Sequence, residues 1–195
     1  MVDLCQLPLC SGDLLLVRIT PRRTRARRLG YVSLPVRGAN DLFLSDIAQV
    51  LQAQLRLCGA VQANTTRTDR RKCDMDLKLL PAGKVLRISE DRGALARGCT
   101  LDNGALVHAV AMTEAALPDA EFLIVNKFGK TEAGGQGFAP VIGEAMCRGI
   151  PVLVGVNALN LPAFHAFAAG LAEQLPEDLG QATDWCLHAV LQDAA

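Results

Sequence analysis

The sequence predicts an α/β protein built as a three-layer parallel sheet with an inserted antiparallel hairpin region. Two apolar runs, Phe122 to Val125 (FLIV) and Ile150 to Val156 (IPVLVGV), have the unbroken hydrophobicity of strands buried on both faces of a parallel sheet. Segments with helical apolar spacing alternate with such runs, and that order closes into a parallel sheet through right-handed crossovers. From Asn64 to Arg97 the pattern changes to short alternating runs, Cys73 to Leu80 and Lys84 to Ser89, on either side of Pro81, Ala82 and Gly83. Two such runs around a Pro/Gly turn read as a hairpin.

Composition bounds the rest. With 195 residues, 50% of them hydrophobic, and zero formal net charge, the chain can bury one good core. No run approaches the roughly 18 apolar residues of a membrane span. The seven cysteines are odd in number and form no CxxC pair. Without a secretory signal in view they read as reduced thiols, which places the protein in the cytoplasm. Arg18, Arg22, Arg23, Arg25, Arg27 and Arg28 crowd one segment, so residues 1–28 are expected to be a basic, disordered extension, with translation from upstream of the natural start as one account of it. The competing account is an arm for nucleic acid or anionic lipid, and nucleic acid is not expected elsewhere on the chain. Oligomeric state is not legible.

The globular part, residues 29–195, is read as one domain with residues 64–101 as the inserted hairpin region. LGYVSL from Leu29 is a strand by its β-branched and aromatic content. Pro35 to Asn40 is a loop, and Asn40 or Asp41 caps a helix carrying Leu44, Ile47, Val50, Leu51 and Leu55 on one side, stopped by Gly59. Ala60 to Ala63 is the next strand. In the hairpin, alternation sends Asp74, Asp76 and Lys78 to one face and Cys73, Met75, Leu77 and Leu79 to the other. Asp102 caps a helix that ends near Pro118. The strand Phe122 to Val125 then empties into the polar loop NKFGKTEAGGQG, followed by a helix from about Phe138 to Cys147 closed by Gly149. Pro162 opens a helix with Phe164, Phe167 and Leu171, and an amphipathic helix around Trp185 and Leu191 finishes the domain.

The carboxyl ends of the strands, Leu34, Ala63, Val125 and Val156, share one rim, and three of them deliver an asparagine: Asn64, Asn126 and Asn157. That rim is where open α/β sheets place ligands. Each asparagine offers a donor and an acceptor to a polar pocket, or caps the helix that follows. Lys127 and Lys130, with Arg37 nearby, supply positive charge for an anion. Gly129, Gly134, Gly135 and Gly137 either expose backbone N–H groups to that anion or let the loop turn. Glu132 is the best general-base candidate, with Lys130 beside it as a second catalytic candidate, and a lysine-paired loop carboxylate is the equal structural description. Cys73, Asp74, Asp76, Cys99 and Asp102 could form a mixed thiolate and carboxylate metal site, or the two cysteines a redox pair. Their spacing matches no zinc pattern, and alternation parts Cys73 from its aspartates, which are read as a solvated, lysine-paired face. His108, His165 and His188 are scattered on helices and read as surface or packing residues.

The strings LGYVSLPVRGANDLFLSDIAQVL, GAVQANTTRTDRRKCDMDLKLLPAGKVLRIS, ARGCTLDNGAL, FLIVNKFGKTEAGGQGFAPVIGEAMCRGIPVLVGVNALNL and HAFAAGLAEQL closely resemble a bacterial family catalogued as a domain of unknown function. Some of its members carry the labels nucleoside triphosphatase or molybdenum-transport ATP-binding protein. More distantly, the order of elements is similar to the small P-loop nucleoside triphosphatases. Phe128, Gly129, Lys130 and Glu132 fall on the run that follows their acidic metal motif, and the Phe138 helix and GIPVLVGV strand continue the likeness. The resemblance implies a three-layer sheet of P-loop NTPase type and a nucleotide as ligand.

The departures from that pattern concern chemistry. A phosphate loop ends in G-K-[ST], whose lysine reaches the β/γ-phosphates and whose hydroxyl holds Mg²⁺. Here Gly38 takes the place of the second glycine, Ala39 stands for the lysine and Asn40 for the hydroxyl residue. Where the relatives present Asp-Glu after the strand, this chain presents Asn126 and Lys127. The expectation is therefore a nucleotide or another small anion held at Arg37, Gly38, Asn40, Asn126, Lys127, Gly129, Lys130, Gly134, Gly135 and Asn157 without dependence on Mg²⁺, in an accessory or sensory protein linked to molybdenum through the family labels. An active triphosphatase or phosphotransferase with atypical motifs, and a protein-interaction module, are the alternatives. Asn126-Lys127 matches only half of a guanine-reading NKxD motif, because Gly129 stands where the aspartate would be.

Overall fold

The structure is a computed structural model that describes residues 28–66, 68, 73–91 and 101–191. The basic arm before Arg28, and Cys99, lie outside the described residues.

The elements are β1 (Leu29–Val32), α1 (Ala39–Leu51), β2 (Leu57–Thr65), β3 (Asp74–Leu80), β4 (Val85–Arg87), α2 (Asn103–Ala116), β5 (Phe122–Phe128), α3 (Lys130–Ala133), α4 (Ala139–Arg148), β6 (Val152–Val156), α5 (Leu161–Ala168), β7 (Ala172–Gln174) and α6 (Leu179–Leu191). They form one seven-stranded sheet in the order β4-β3-β2-β5-β6-β1-β7. From β2 to β7 every neighbouring pair is parallel, while β3 and β4 extend the β2 edge antiparallel. The hairpin expected from the alternating runs therefore continues the main sheet.

Each face of the sheet is covered by helices whose apolar stripes the sequence spaces at helical intervals. On one face α1 buries Leu44, Ile47, Ala48 and Leu51, and α6 buries Ala182, Cys186 and Ala189. On the other, α2, α4 and α5 bring Leu106, Ile142, Met146 and Phe164 against the strands. All five residues of β6 are buried, as a strand covered on both sides requires. Asp102 caps α2 as expected, its Oδ1 accepting the Ala105 N–H at 3.0 Å, an arrangement that typically stabilises by about 1 kcal/mol.

Several local expectations are corrected. Gly38, in the left-handed region at φ 82°, caps α1, and Asn40 and Asp41 sit inside its first turn. Val50 points outward, because the stripe runs through Ala48 instead. Gly59 lies within β2 and does not end the preceding helix. Asn126 and Lys127 belong to β5, which continues past Val125 through an irregularity. There Val125 pairs with Val154 and Phe128 with Val156, so three steps on β5 match two on β6. This bulge buries Asn126 and turns Lys127 to solvent. The strand β7 was not anticipated: it is a three-residue edge strand, mostly exposed, without apolar alternation.

Burial also sets thiol chemistry. Desolvation pushes the Cys58 thiol up to about 11 and the Cys186 thiol up to about 12, from 9.0. In the unfolded chain these thiols ionise first, so stability should fall as pH rises from 9 towards those values. In native protein at pH 8, a thiol-labelling reagent followed by peptide mapping should mark exposed Cys147 and leave Cys58 and Cys186 unmodified until the chain is denatured.

Candidate functional site

Because β1, β2, β5 and β6 run parallel, their carboxyl ends open on one edge, and the residues just beyond them enclose a cleft with two lobes. The first, of about 690 Å³, is bounded by the β1–α1 loop with Arg37, Gly38, Asn40 and Asp41, and by Asn64 and Cys73. The second, of about 590 Å³, lies under the hairpin and α2, walled by Leu77, Ile88, Leu101, Leu106 and Phe138, with Gly129, Lys130 and Thr131. Gln62, Met75, Asn126, Lys127, Asn157 and Leu159 border both.

After the β1–α1 loop, the first turn of α1 folds back on it: the Ala39 N–H donates to Val36 O at 3.0 Å and the Asp41 N–H to Gly38 O at 3.1 Å. Asn40 ties the rim together. Its Oδ1 accepts the Leu34 N–H at 2.9 Å and its Nδ2 donates to Val156 O at 3.1 Å, joining the ends of β1 and β6.

Asn126 does the same between β2 and α1. Its Oδ1 accepts the Gln62 N–H at 2.9 Å, and its Nδ2 donates to Asp41 Oδ1 at 2.8 Å. The second oxygen of Asp41 accepts from Asn64 Nδ2, and Asn64 Oδ1 accepts from Gln62 Nε2 at 2.8 Å. Asp41 is thus the hub of an amide network that sequence reasoning placed only as a helix cap. Nothing in its spacing distinguishes a cap from a residue that reaches across to two other strands. Asn157 accepts with Oδ1 from the Asn160 N–H at 3.2 Å and from Asn160 Nδ2 at 2.8 Å, and its own Nδ2 has no partner among the described residues.

Glu132 is buried, and both its oxygens are engaged: Oε2 accepts the Gly129 N–H at 2.9 Å and Oε1 the Phe138 N–H at 3.2 Å. The carboxylate closes the loop between β5 and α4, so its partners are backbone N–H groups and not the lysine expected of a loop ion pair. Each oxygen is held by one backbone N–H, and the residue still borders the lobe beneath the hairpin. Gly134 and Gly135 donate to carbonyls of the α3 turn, including Gly135 to Glu132 O at 2.9 Å, and neither borders the cleft, so they offer no anion nest. Lys127 and Lys130 are exposed and make no ion pair with a described residue.

Asp74 is buried and pairs with Arg87 at 2.9 Å, and Arg87 also binds Asp76. The partner is thus an arginine on β4, and Asp74 is not on a solvated face. Cys73 Sγ lies 4.0 Å from Asn64 Oδ1, away from this pair. Among the described residues no three His, Cys, Asp or Glu side chains gather as a metal site. His165 packs edge-on to Tyr31 at 5.4 Å, and His188 Nδ1 contacts Asp184 O at 2.7 Å.

Residues 29–185 match the family described as "Protein of unknown function (DUF2478)". The chain belongs to this family. The chain is also 33% identical, over 137 residues, to the Molybdenum import ATP-binding protein ModC 2 of Bradyrhizobium diazoefficiens. That match covers 69% of this chain but spans only 15% of the relative's length. Among solved structures, a human cancer-related nucleoside triphosphatase superposes with a TM-score of 0.54 at 14% identity, covering 86% of this chain and 98% of the other. The fold is therefore of the P-loop nucleoside triphosphatase type, with the inserted hairpin paired onto the β2 edge. No helix among the described residues is long and apolar enough to cross a membrane.

Proposed function

We propose that this protein binds a nucleotide or a related small anion in the two-lobed cleft and does not use Mg²⁺ to hydrolyse it. The observation that carries this reading is the state of Asn40 and Asn126. By the sequence resemblance these amides stand for the Mg²⁺-holding hydroxyl and carboxylate of P-loop nucleoside triphosphatases, and both are occupied in tying the rim together, Asn40 between β1 and β6 and Asn126 between β2 and α1. Neither supplies the anionic oxygen that a hard dication prefers, and the carboxylate that borders the β1–α1 lobe among the described residues, Asp41, is engaged by Asn64 and Asn126, which disfavours a Mg²⁺ site.

The exposed cations Arg37, Lys127 and Lys130 support anion binding, and Lys127 borders both lobes. A protein that holds an anion at a rim without turning it over suits an accessory or sensory role. The name of the Bradyrhizobium relative is the sole support for a molybdenum link, and it makes molybdate a reasonable probe.

Thermal-shift titration with ATP, GTP, phosphate and molybdate tests the reading, because a ligand that binds only the folded state raises its stability by mass action. At least one anion should stabilise the protein, and Lys127→Ala should weaken that binding about tenfold, as expected for loss of one charge-assisted bond. No shift with any anion would refute it. Phosphate release above the buffer rate would favour the active triphosphatase instead.

A further inference from the structure

We propose that the natural ligand is a small organic anion whose apolar body occupies the lobe beneath the hairpin and whose charged end lies at Lys127 and Lys130. This deepens the binding function proposed above and rests on it. The lobe's volume of about 590 Å³ is that of a small-molecule site, and its walls are Leu77, Ile88, Leu101, Leu106 and Phe138. An inorganic oxyanion would leave those walls facing water. Leu159, which borders both lobes, is 91% exposed at the mouth of the cleft. A leucine held in solvent beside an apolar cavity gains by covering a hydrophobic ligand.

Charge points the same way. Lys127 and Lys130 both border this lobe, and the acid that borders it among the described residues, Glu132, has each oxygen held by a backbone N–H group. The other lobe holds the Asp41 carboxylate against its cations, so the more favourable place for an anionic end is the lysine pair. The hairpin supplies Leu77 and Ile88 to the wall, which gives the insertion a use beyond extending the sheet.

The test uses the full chain and isothermal titration with butanoate, hexanoate and octanoate as probes. Affinity should rise with chain length, by up to about fourfold per buried methylene. Leu159→Ser, at a solvent-exposed position, should weaken octanoate at unchanged Tm, and Lys130→Ala should weaken all three acids. Phosphate affinity should be indifferent to Leu159→Ser. Affinity independent of chain length, or octanoate binding unmoved by both variants, would overturn the inference while anion binding at Lys127 could still stand. Concentration-dependent dimerisation abolished by Leu159→Ser would overturn it too, making the lobe a contact between copies. Length-dependent binding of the acids without any effect of Lys127→Ala on ATP or phosphate would support the apolar lobe and count against the nucleotide reading.

Discussion

Gly59→Ala should destabilise the protein by roughly 3 kcal/mol or more, enough to threaten folding of a domain of ordinary stability. Gly59 lies in β2, and a Cβ there would sit 1.9 Å from the carbonyl oxygen of Ile124 on the neighbouring strand β5. The obstacle is backbone at the centre of the sheet, which cannot turn aside as a flexible side chain would. At φ +111° the residue also occupies a conformation that an L side chain resists. Urea denaturation followed by circular dichroism reads the effect. Wild-type stability in the variant would mean that β2 and β5 do not approach as closely as described.

Glu132→Ala should cost about 2–4 kcal/mol, because it strips the acceptor from two buried N–H groups at once, those of Gly129 and Phe138. Glu132→Gln keeps one acceptor and presents an NH₂ to the other N–H, so its loss should be smaller but still evident in Tm. The neighbouring Gly137 makes the same point: a Cβ there would fall 2.2 Å from Glu132 Oε1, so the loop is wrapped tightly round the carboxylate. A catalytic role would add a loss of turnover in Glu132→Gln to the lowered Tm, so an activity assay on the same variant reads that role separately. A lowered Tm in both variants, graded as stated, is the structural outcome.

The elements that sequence reasoning placed correctly are those whose signal is local. The β6 run IPVLVGV, the Asp102 cap and the Pro/Gly hairpin each announce themselves within a few residues. The shared rim was also legible, because parallel strands must open their carboxyl ends on one edge. What sequence could not show depends on partners far along the chain. Asp41 meets Asn64 and Asn126, which lie 23 and 85 residues away, and no periodicity encodes that meeting. Glu132 reads equally as a general base or a structural carboxylate, because it sits in a polar loop with lysine and glycine neighbours. The same glycines let the loop fold back and give its oxygens to backbone N–H groups. The bulge in β5 was hidden for a similar reason: polar residues after an apolar run resemble a loop, although here they are one buried and one exposed strand position.

One distinction remains central: whether the cleft holds its anion by side-chain cations alone or through a metal ion. Lys127, Lys130 and Arg37 require no metal, whereas the amides of Asn40 and Asn126 are already committed to the rim. Calorimetric titration of ATP into the full chain in EDTA, repeated in Mg²⁺, separates the two most directly. Saturable binding in EDTA that Mg²⁺ does not strengthen, and that rising salt weakens, is the predicted result. Binding seen only with Mg²⁺, or accompanied by release of phosphate, would contradict the account.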